Sequence, residues 1–193
     1  MKKIVVFASG GGSDFQSVID GVESGLIKAE ISLLIAGKED IYAIERAKAH
    51  GIDWAVYRKK DYPSAEAMYD DIIARLDTIN PDLIVLAGYL TILTPNIVGR
   101  YKGRIINIHP SLIPKYCGDG FYGMKVHRAV IAAGEKVSGA TVHYVDEGTD
   151  TGAIIKQVTV NVAEDDTPES LQKRVLEAEH KLLPETVAAL LND

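Results

Sequence analysis

Asn107 and His109 stand two residues apart where the apolar run Ile105–Ile108 meets Pro110. If the extended geometry persists through His109, both side chains project to the same side, and an amide donor and a titratable imidazole converge on one ligand atom. That pairing suits acyl transfer, in which an oxyanion develops while a proton leaves an attacking amine. A histidine beside a proline serves equally as a cap or loop anchor, and the residues alone leave both readings open. Asp150 lies in the connection Asp146-Glu147-Gly148-Thr149-Asp150-Thr151-Gly152. A carboxylate brought to His109 would raise the imidazole pKa and fix its tautomer. Asp146 and Glu147 read as a solvated turn.

A second candidate is the turn Ser9-Gly10-Gly11-Gly12-Ser13, between an apolar run and a helical pattern. Backbone amides and the helix dipole there favour a phosphate. The dinucleotide pattern G-x-G-x-x-G fails because Phe15 takes the place of its last glycine, and no G-K-[ST] follows. One phosphate is expected rather than a dinucleotide, with a plain tight turn as the alternative. Cys117 lacks an evident base, and His50 reads as an answer to a helix dipole. His109, Cys117, His127 and His143 match no zinc spacing, so no metal site is expected. Glu177, Glu179 and His180 read as the solvated face of the last helix.

These residues need a scaffold. Apolar runs at 4–8, 30–36, 53–57, 82–89 and 104–108 alternate with helical patterns near 13–22, 40–50 and 63–78 and a short helix after Pro95. The runs predict a mostly parallel, Rossmann-like α/β sheet covered by helices on both faces. Residues 110–122 are rich in Pro, Gly and aromatics and read as a site loop. A helix near 123–134 follows, then alternating segments 137–145 and 153–162, which predict an antiparallel pair. Thr167-Pro168-Glu169 opens a final helix, expected to break at Pro184.

Bulk properties exclude other classes. A chain of 193 residues, 47% hydrophobic and 25% charged, suits one globular domain. One cysteine makes no internal disulfide, the N-terminus turns polar too soon for a secretory signal, and no run is long enough for a membrane span. The cytoplasm is the expected location. Twenty-seven acidic against 21 basic residues, with no basic cluster beyond Arg58-Lys59-Lys60, argue against nucleic-acid binding.

The run Ile105–Tyr116 (I-I-N-I-H-P-S-L-I-P-K-Y), with Gly139–Val145 and Asp150-Thr151-Gly152, closely resembles the phosphoribosylglycinamide formyltransferase family. The likeness extends from the Ser9–Ser13 turn through Leu86-Ala87-Gly88-Tyr89 to Glu179-His180. It implies one domain over 1–193, with 1–108 as the phosphate-binding half and 109–193 carrying the folate site and catalysis. It implies formyl transfer from 10-formyltetrahydrofolate to glycinamide ribonucleotide in purine synthesis, with no metal. By the same resemblance, Asn107 would hold the formyl oxygen, a charged His109 would polarise it, and Asp150 would keep His109 charged. Gly12, Ser13 and Asp14 would cradle the phosphate and Glu179 would meet the ribose. The pterin would lie against Leu90, Thr91, Ile92 and Leu93, with Asp146, Glu147, Gly148 and Thr149 beside it. Three positions depart from the family: Asp14 replaces Asn, and Thr91 and Ala65 replace Arg. The rivals are a formyltetrahydrofolate hydrolase, a formyltransferase for another amine, a nicotinamide oxidoreductase and a noncatalytic nucleotide-binding module. Room is expected for neither a regulatory nor an RNA-binding domain. Monomer and homodimer both stay open.

Overall fold

The computed structural model describes residues 1–192. Its strands are β1 Lys2–Ala8, β2 Ala29–Ala36, β3 Trp54–Val56, β4 Leu83–Leu86, β5 Ile105–His109, β6 Val137–Tyr144 and β7 Ile154–Asn161. They form one sheet in the order β3-β2-β1-β4-β5-β6-β7. The pairs among β1 to β5 are parallel, and β6 runs antiparallel to both β5 and β7. The sheet is therefore mixed and mostly parallel, with the antiparallel strands at its C-terminal edge. The apolar run at 82–89 yields only a four-residue strand, because the chain leaves the ladder after Leu86.

The helices are α1 Ser13–Glu23, α2 Tyr42–Ala49, α3 Ala65–Ile79, α4 Pro95–Arg100, α5 Met124–Ala132 and α6 Pro168–Leu191. Alternation along β1 divides them. Ile4, Val6 and Ala8 share a core with Phe15, Val18 and Ile19 of α1, Ala43, Ile44 and Ala47 of α2, Val126 and Val130 of α5, and the inner face of α6. Val5 and Phe7 point the other way, onto Met68, Tyr69, Ile72 and Leu76 of α3 and Ile97 and Val98 of α4. Residues of β1 from Ile4 are thus buried whichever face they take, which explains the unbroken apolar run. Each such side chain contributes about 1.5–3 kcal/mol of transfer free energy.

α6 opens on a capping box: the Thr167 side chain accepts from the Ser170 amide, the Ser170 side chain accepts from the Thr167 amide, and Pro168 sits where a missing N–H costs nothing. The expected break at Pro184 does not occur, and the helix continues to Leu191. An interior proline costs about 3 kcal/mol. Here it is buried against α1, where a Cβ on Gly21 would meet the Pro184 Cβ at 3.1 Å. The absent side chain of Gly21 lets the two helices close, and packing on both sides of the proline holds α6 in one piece. Among the described residues, no helix is long and apolar enough to cross a membrane.

Candidate active site at the carboxyl ends of β4 and β5

β4 and β5 pair in parallel with Leu86 opposite Asn107, so the loops that follow them leave the sheet side by side. Open α/β sheets hold their ligands at this edge. Gly88 to Leu93, Gly118 to Gly123 and part of the β6–β7 connection wall a cavity of about 440 Å³. Asn107, His109 and Asp150 all line it. Leu90, Thr91, Ile92, Leu93, Asp146, Gly148 and Thr149 are on the wall as well, whereas Glu147 is exposed and lies off it.

The antiparallel register sets His143 of β6 opposite Asn107. Asn107 Nδ2 lies 3.2 Å from His143 Nε2, and His143 Nδ1 lies 2.8 Å from the Tyr144 carbonyl. A carbonyl only accepts, so this pattern assigns the proton of neutral His143 to Nδ1 and leaves Nε2 to accept from Asn107. One Asn107 N–H is thereby committed, and the amide plane is fixed by its neighbour. The same logic applies to His109, whose Nε2 lies 2.9 Å from the Tyr116 carbonyl and is therefore protonated. The titrating atom is Nδ1, 3.5 Å from Asp150 Oδ2, while Asp150 Oδ1 is 3.6 Å from His143 Nε2.

Asp150 sits at a backbone φ of 58°, unusual for a residue with a side chain, and its Oδ2 accepts from the Gly118 amide at 2.9 Å. Burial pushes its pKa upward, but the neighbouring imidazoles of His143 and His109 and the Gly118 amide outweigh burial and hold the carboxyl below its usual range. His109 is only 4% exposed, and burial lowers its pKa despite the upward pull of the Tyr116 carbonyl and, as expected, of Asp150. Behind it, His127 of α5 is buried with Nδ1 unpartnered. Burial, then the charge of His109, push its pKa down to about 4. Burial thus pulls both His109 and His127 toward the neutral form.

The glycine turn lies at the neighbouring edge. Gly12 caps α1 at φ 68°, and a Cβ there would sit 2.7 Å from the Ala43 Cβ, so only glycine fits. Arg46 braces the turn by donating from Nε to the Gly11 carbonyl at 2.9 Å and from Nη1 to Gln16 Oε1 at 2.8 Å. Ser9 Oγ accepts from the Leu90 amide at 3.0 Å, tying the turn to the cavity wall. No side chain caps α1, although a carboxylate at Asp14 is suited to it. Asp14 Oδ1 is instead buried without a hydrogen bond, 3.9 Å from His180 Nε2. Burial raises the Asp14 carboxyl to about 6.

Glu179 reads from the pattern as part of a solvated face, yet it is only 6% exposed. Burial and then the charge of Asp14 raise its pKa well above the normal range. The helix presents it inward because Val175, Glu179, Leu182 and Leu183 share the stripe that packs on the core. His143 is the residue of this cluster that residue-by-residue reading missed: its partnership with Asn107 depends on β-register, which no local signal reports. Cys117 donates to the Pro114 carbonyl at 3.3 Å, and burial raises its pKa, which suits an unreactive thiol.

A doubly covered sheet with an amide, two histidines and a carboxylate at one cavity beyond the strand ends matches a known class. A formyl transferase family model fits residues 2–187, and the chain belongs to that family. Its relatives narrow the comparison to one activity. The chain is 40% identical to the phosphoribosylglycinamide formyltransferase of Bacillus subtilis over 99% of its own length and 95% of the relative's. It is 42% identical to the chloroplastic phosphoribosylglycinamide formyltransferase of Arabidopsis thaliana over all of its length, but spans only 66% of that protein. The crystal structure of phosphoribosylglycinamide formyltransferase from Bacillus halodurans superposes with a TM-score of 0.93 at 40% identity, covering 100% of this chain and 96% of that one.

Proposed function

We propose that the protein transfers the formyl group of 10-formyltetrahydrofolate to the amine of glycinamide ribonucleotide, a step of purine synthesis, in the cytoplasm. The observation that carries this reading is the Asn107–His143 and His109–Asp150 arrangement at one end of a cavity large enough for a flat heteroaromatic donor. The substrate amine attacks the formyl carbon, the carbonyl electrons move onto oxygen, and Asn107 donates its uncommitted N–H to that oxyanion. In its neutral form, which burial favours, His109 takes at Nδ1 the proton that the amine loses. Asp150 stabilises the imidazolium as it forms, and the proton then passes to the departing folate nitrogen as the carbon–nitrogen bond breaks. This reading replaces a permanently charged His109 with one that charges during the reaction.

Gly12, Ser13 and the first amides of α1 hold the substrate phosphate, Asp14 borders it, and Glu179 takes the ribose. The pterin lies along Leu90–Leu93 and the 146–150 connection. No metal takes part. Mixing protein, formyl-folate and glycinamide ribonucleotide and following deformylated folate tests the reading. Release that depends on the ribonucleotide supports it, and equal release in water alone would make the protein a formyltetrahydrofolate hydrolase.

A further inference from the structure

α2 holds the glycine turn by its carbonyls. The Ala43 amide donates to the Gly10 carbonyl at 3.2 Å, and Arg46 Nε donates to the Gly11 carbonyl at 2.9 Å. In a trans peptide the carbonyl and the following amide point in opposite directions. Carbonyls turned toward α2 therefore turn the Gly11 and Gly12 amides away from it. Ser9 donates to the Gly88 carbonyl at 3.1 Å, but from Gly10 through Phe15 no amide has a partner among the described residues, and only Gln16 resumes the pattern by donating to the Gly12 carbonyl at 2.9 Å. A run of free amides, two of them aimed by held carbonyls, is suited to an oxyanion.

Arg46 does more than hold one carbonyl. Its Nη1 donates to Gln16 Oε1 at 2.8 Å, Gln16 Nε2 donates to Asp20 Oδ1 at 2.9 Å, and its Cζ lies 4.9 Å from the centroid of the Tyr42 ring. A guanidinium is planar and carries its donors in fixed positions, so meeting one acceptor on the turn and another on α1 locks the turn to the helix. α1 itself is anchored in the core by Phe15, Val18 and Ile19, so this contact is not what keeps the helix in place. Arg46 also shares with Ser13 the wall of a second cavity, beside the start of α1.

We infer that Arg46 is a positioning residue for the substrate phosphate: by fixing the Gly11 carbonyl it aims the Gly12 amide, and by holding Gln16 it keeps that amide in line with those of Ser13 and Asp14. The phosphate need not touch the guanidinium. The inference rests on the reading of the glycine turn as the phosphate site and goes beyond it by naming what sets the direction of the donors there.

Calorimetric titration of the full chain with glycinamide ribonucleotide and with glycinamide riboside, the same molecule without its phosphate, tests it. Wild type should hold the ribonucleotide about a hundredfold more tightly, since several charge-assisted hydrogen bonds separate the two compounds. Arg46→Met, which keeps the apolar stem, should shrink that margin about tenfold while leaving the riboside unchanged. Arg46→Lys keeps the charge but has no planar fork. It should still lose about threefold of the margin, and the loss should persist in high salt, where an effect of charge alone would fade. In the assay KM for the ribonucleotide should rise in parallel, with kcat and KM for formyl-folate unchanged. A margin in Arg46→Lys equal to that of wild type would mean that charge alone acts and would overturn the positioning role. Losses that fall equally on both compounds would overturn it too, since they mark general disruption. Should Arg46→Met fail to fold, the lysine variant read against wild type decides alone. If wild type does not distinguish the two compounds, the phosphate reading falls and the inference with it, whereas a wild-type preference that survives both substitutions sinks the inference and leaves that reading standing.

Discussion

Asn107 and His143 face each other across the β5–β6 ladder, with the Asn107 amide nitrogen 3.2 Å from His143 Nε2. His143 donates its own proton to the Tyr144 carbonyl at 2.8 Å, so its Nε2 can only accept, and the Asn107 NH₂ group must point toward it. The orientation of the proposed oxyanion donor is thus set before substrate arrives, which is the condition under which such donors are most effective.

Asn107→Ala should therefore lower kcat by about 10²–10³ with little effect on substrate binding. His143→Phe removes the acceptor and lets the amide rotate, so kcat should fall by roughly tenfold, and the double variant should be no worse than Asn107→Ala alone. Steady-state kinetics of the three variants decide the matter. Losses that add on a logarithmic scale would mean that His143 acts independently of Asn107.

The His109–Asp150 pair sets the pH dependence. Burial lowers the His109 pKa while Asp150, 3.5 Å away, raises it, so removing the carboxylate charge lowers it further. With neutral His109 as base, kcat/KM should rise with pH through a value below the ordinary imidazole range of about 6.5. Asp150→Asn should move that limb to still lower pH. It should also reduce the rate near neutrality by about 10²-fold, because the imidazolium formed in the reaction loses its counterion. A pH profile unchanged in Asp150→Asn would show the groups to be uncoupled.

The parallel half of the fold was legible because β4, most of β1 and the second half of β2 are buried on both faces, and that condition writes itself as unbroken apolar runs. The Asn107–His109 pair was legible for a related reason, since a period of two needs no tertiary knowledge. His143 and Glu179 were not. His143 depends on which strand pairs with β5 and in which register, and Glu179 on which face of α6 the fold turns inward. The upward pull of Asp150 on His109 was legible because a nearby carboxylate can be inferred from sequence, whereas the opposing burial, with 4% exposure, was not. Pro184 misled for the same reason: its local cost is visible, and the compensating contact at Gly21 is not.

His127 offers a test of stability. Its pKa is pushed down to about 4 by burial, against about 6.5 in the unfolded chain. Between those values the unfolded state binds the extra proton, so its contribution to stability is complete above about pH 6.5 and is lost as pH falls toward 4, by about 3 kcal/mol in all. His127→Leu cannot take up that proton. Urea unfolding at pH 7 and pH 4.5 should show the variant losing less stability on acidification than wild type, whatever the substitution costs at pH 7. Equal losses would mean that His127 is already accessible to solvent in the folded protein.

Asp14 carries the last prediction, and it concerns the position where this chain departs from the family pattern. The carboxylate does not cap α1: its Oδ1 is buried, unpartnered and 3.9 Å from His180 Nε2, with Glu179 buried alongside. Burial alone raises Asp14 to about 6, so near neutrality it is charged, beside the amides proposed to hold a phosphate. Two anions at close contact repel by a few kcal/mol at an effective dielectric of about 20, less what salt screens. Below about pH 6 the carboxyl carries its proton and the repulsion disappears. Asp14→Asn makes that neutral state permanent while keeping the shape. It should lower KM for glycinamide ribonucleotide at pH 7.5 by less than about tenfold, with kcat nearly unchanged, because the contact is equally present in ground and transition states. The gain should shrink at pH 5.5 and in high salt. His180, 3.9 Å from Asp14, and Glu179, whose pKa the Asp14 charge raises, lose that charge in the variant, so the comparison reports the linked group of Asp14, Glu179 and His180. KM for both substrates at the two pH values, each at low and high salt, is the measurement. A KM for the ribonucleotide that does not respond to Asp14→Asn, and that also ignores substitutions at Gly12 and Ser13, would move the phosphate site away from this turn.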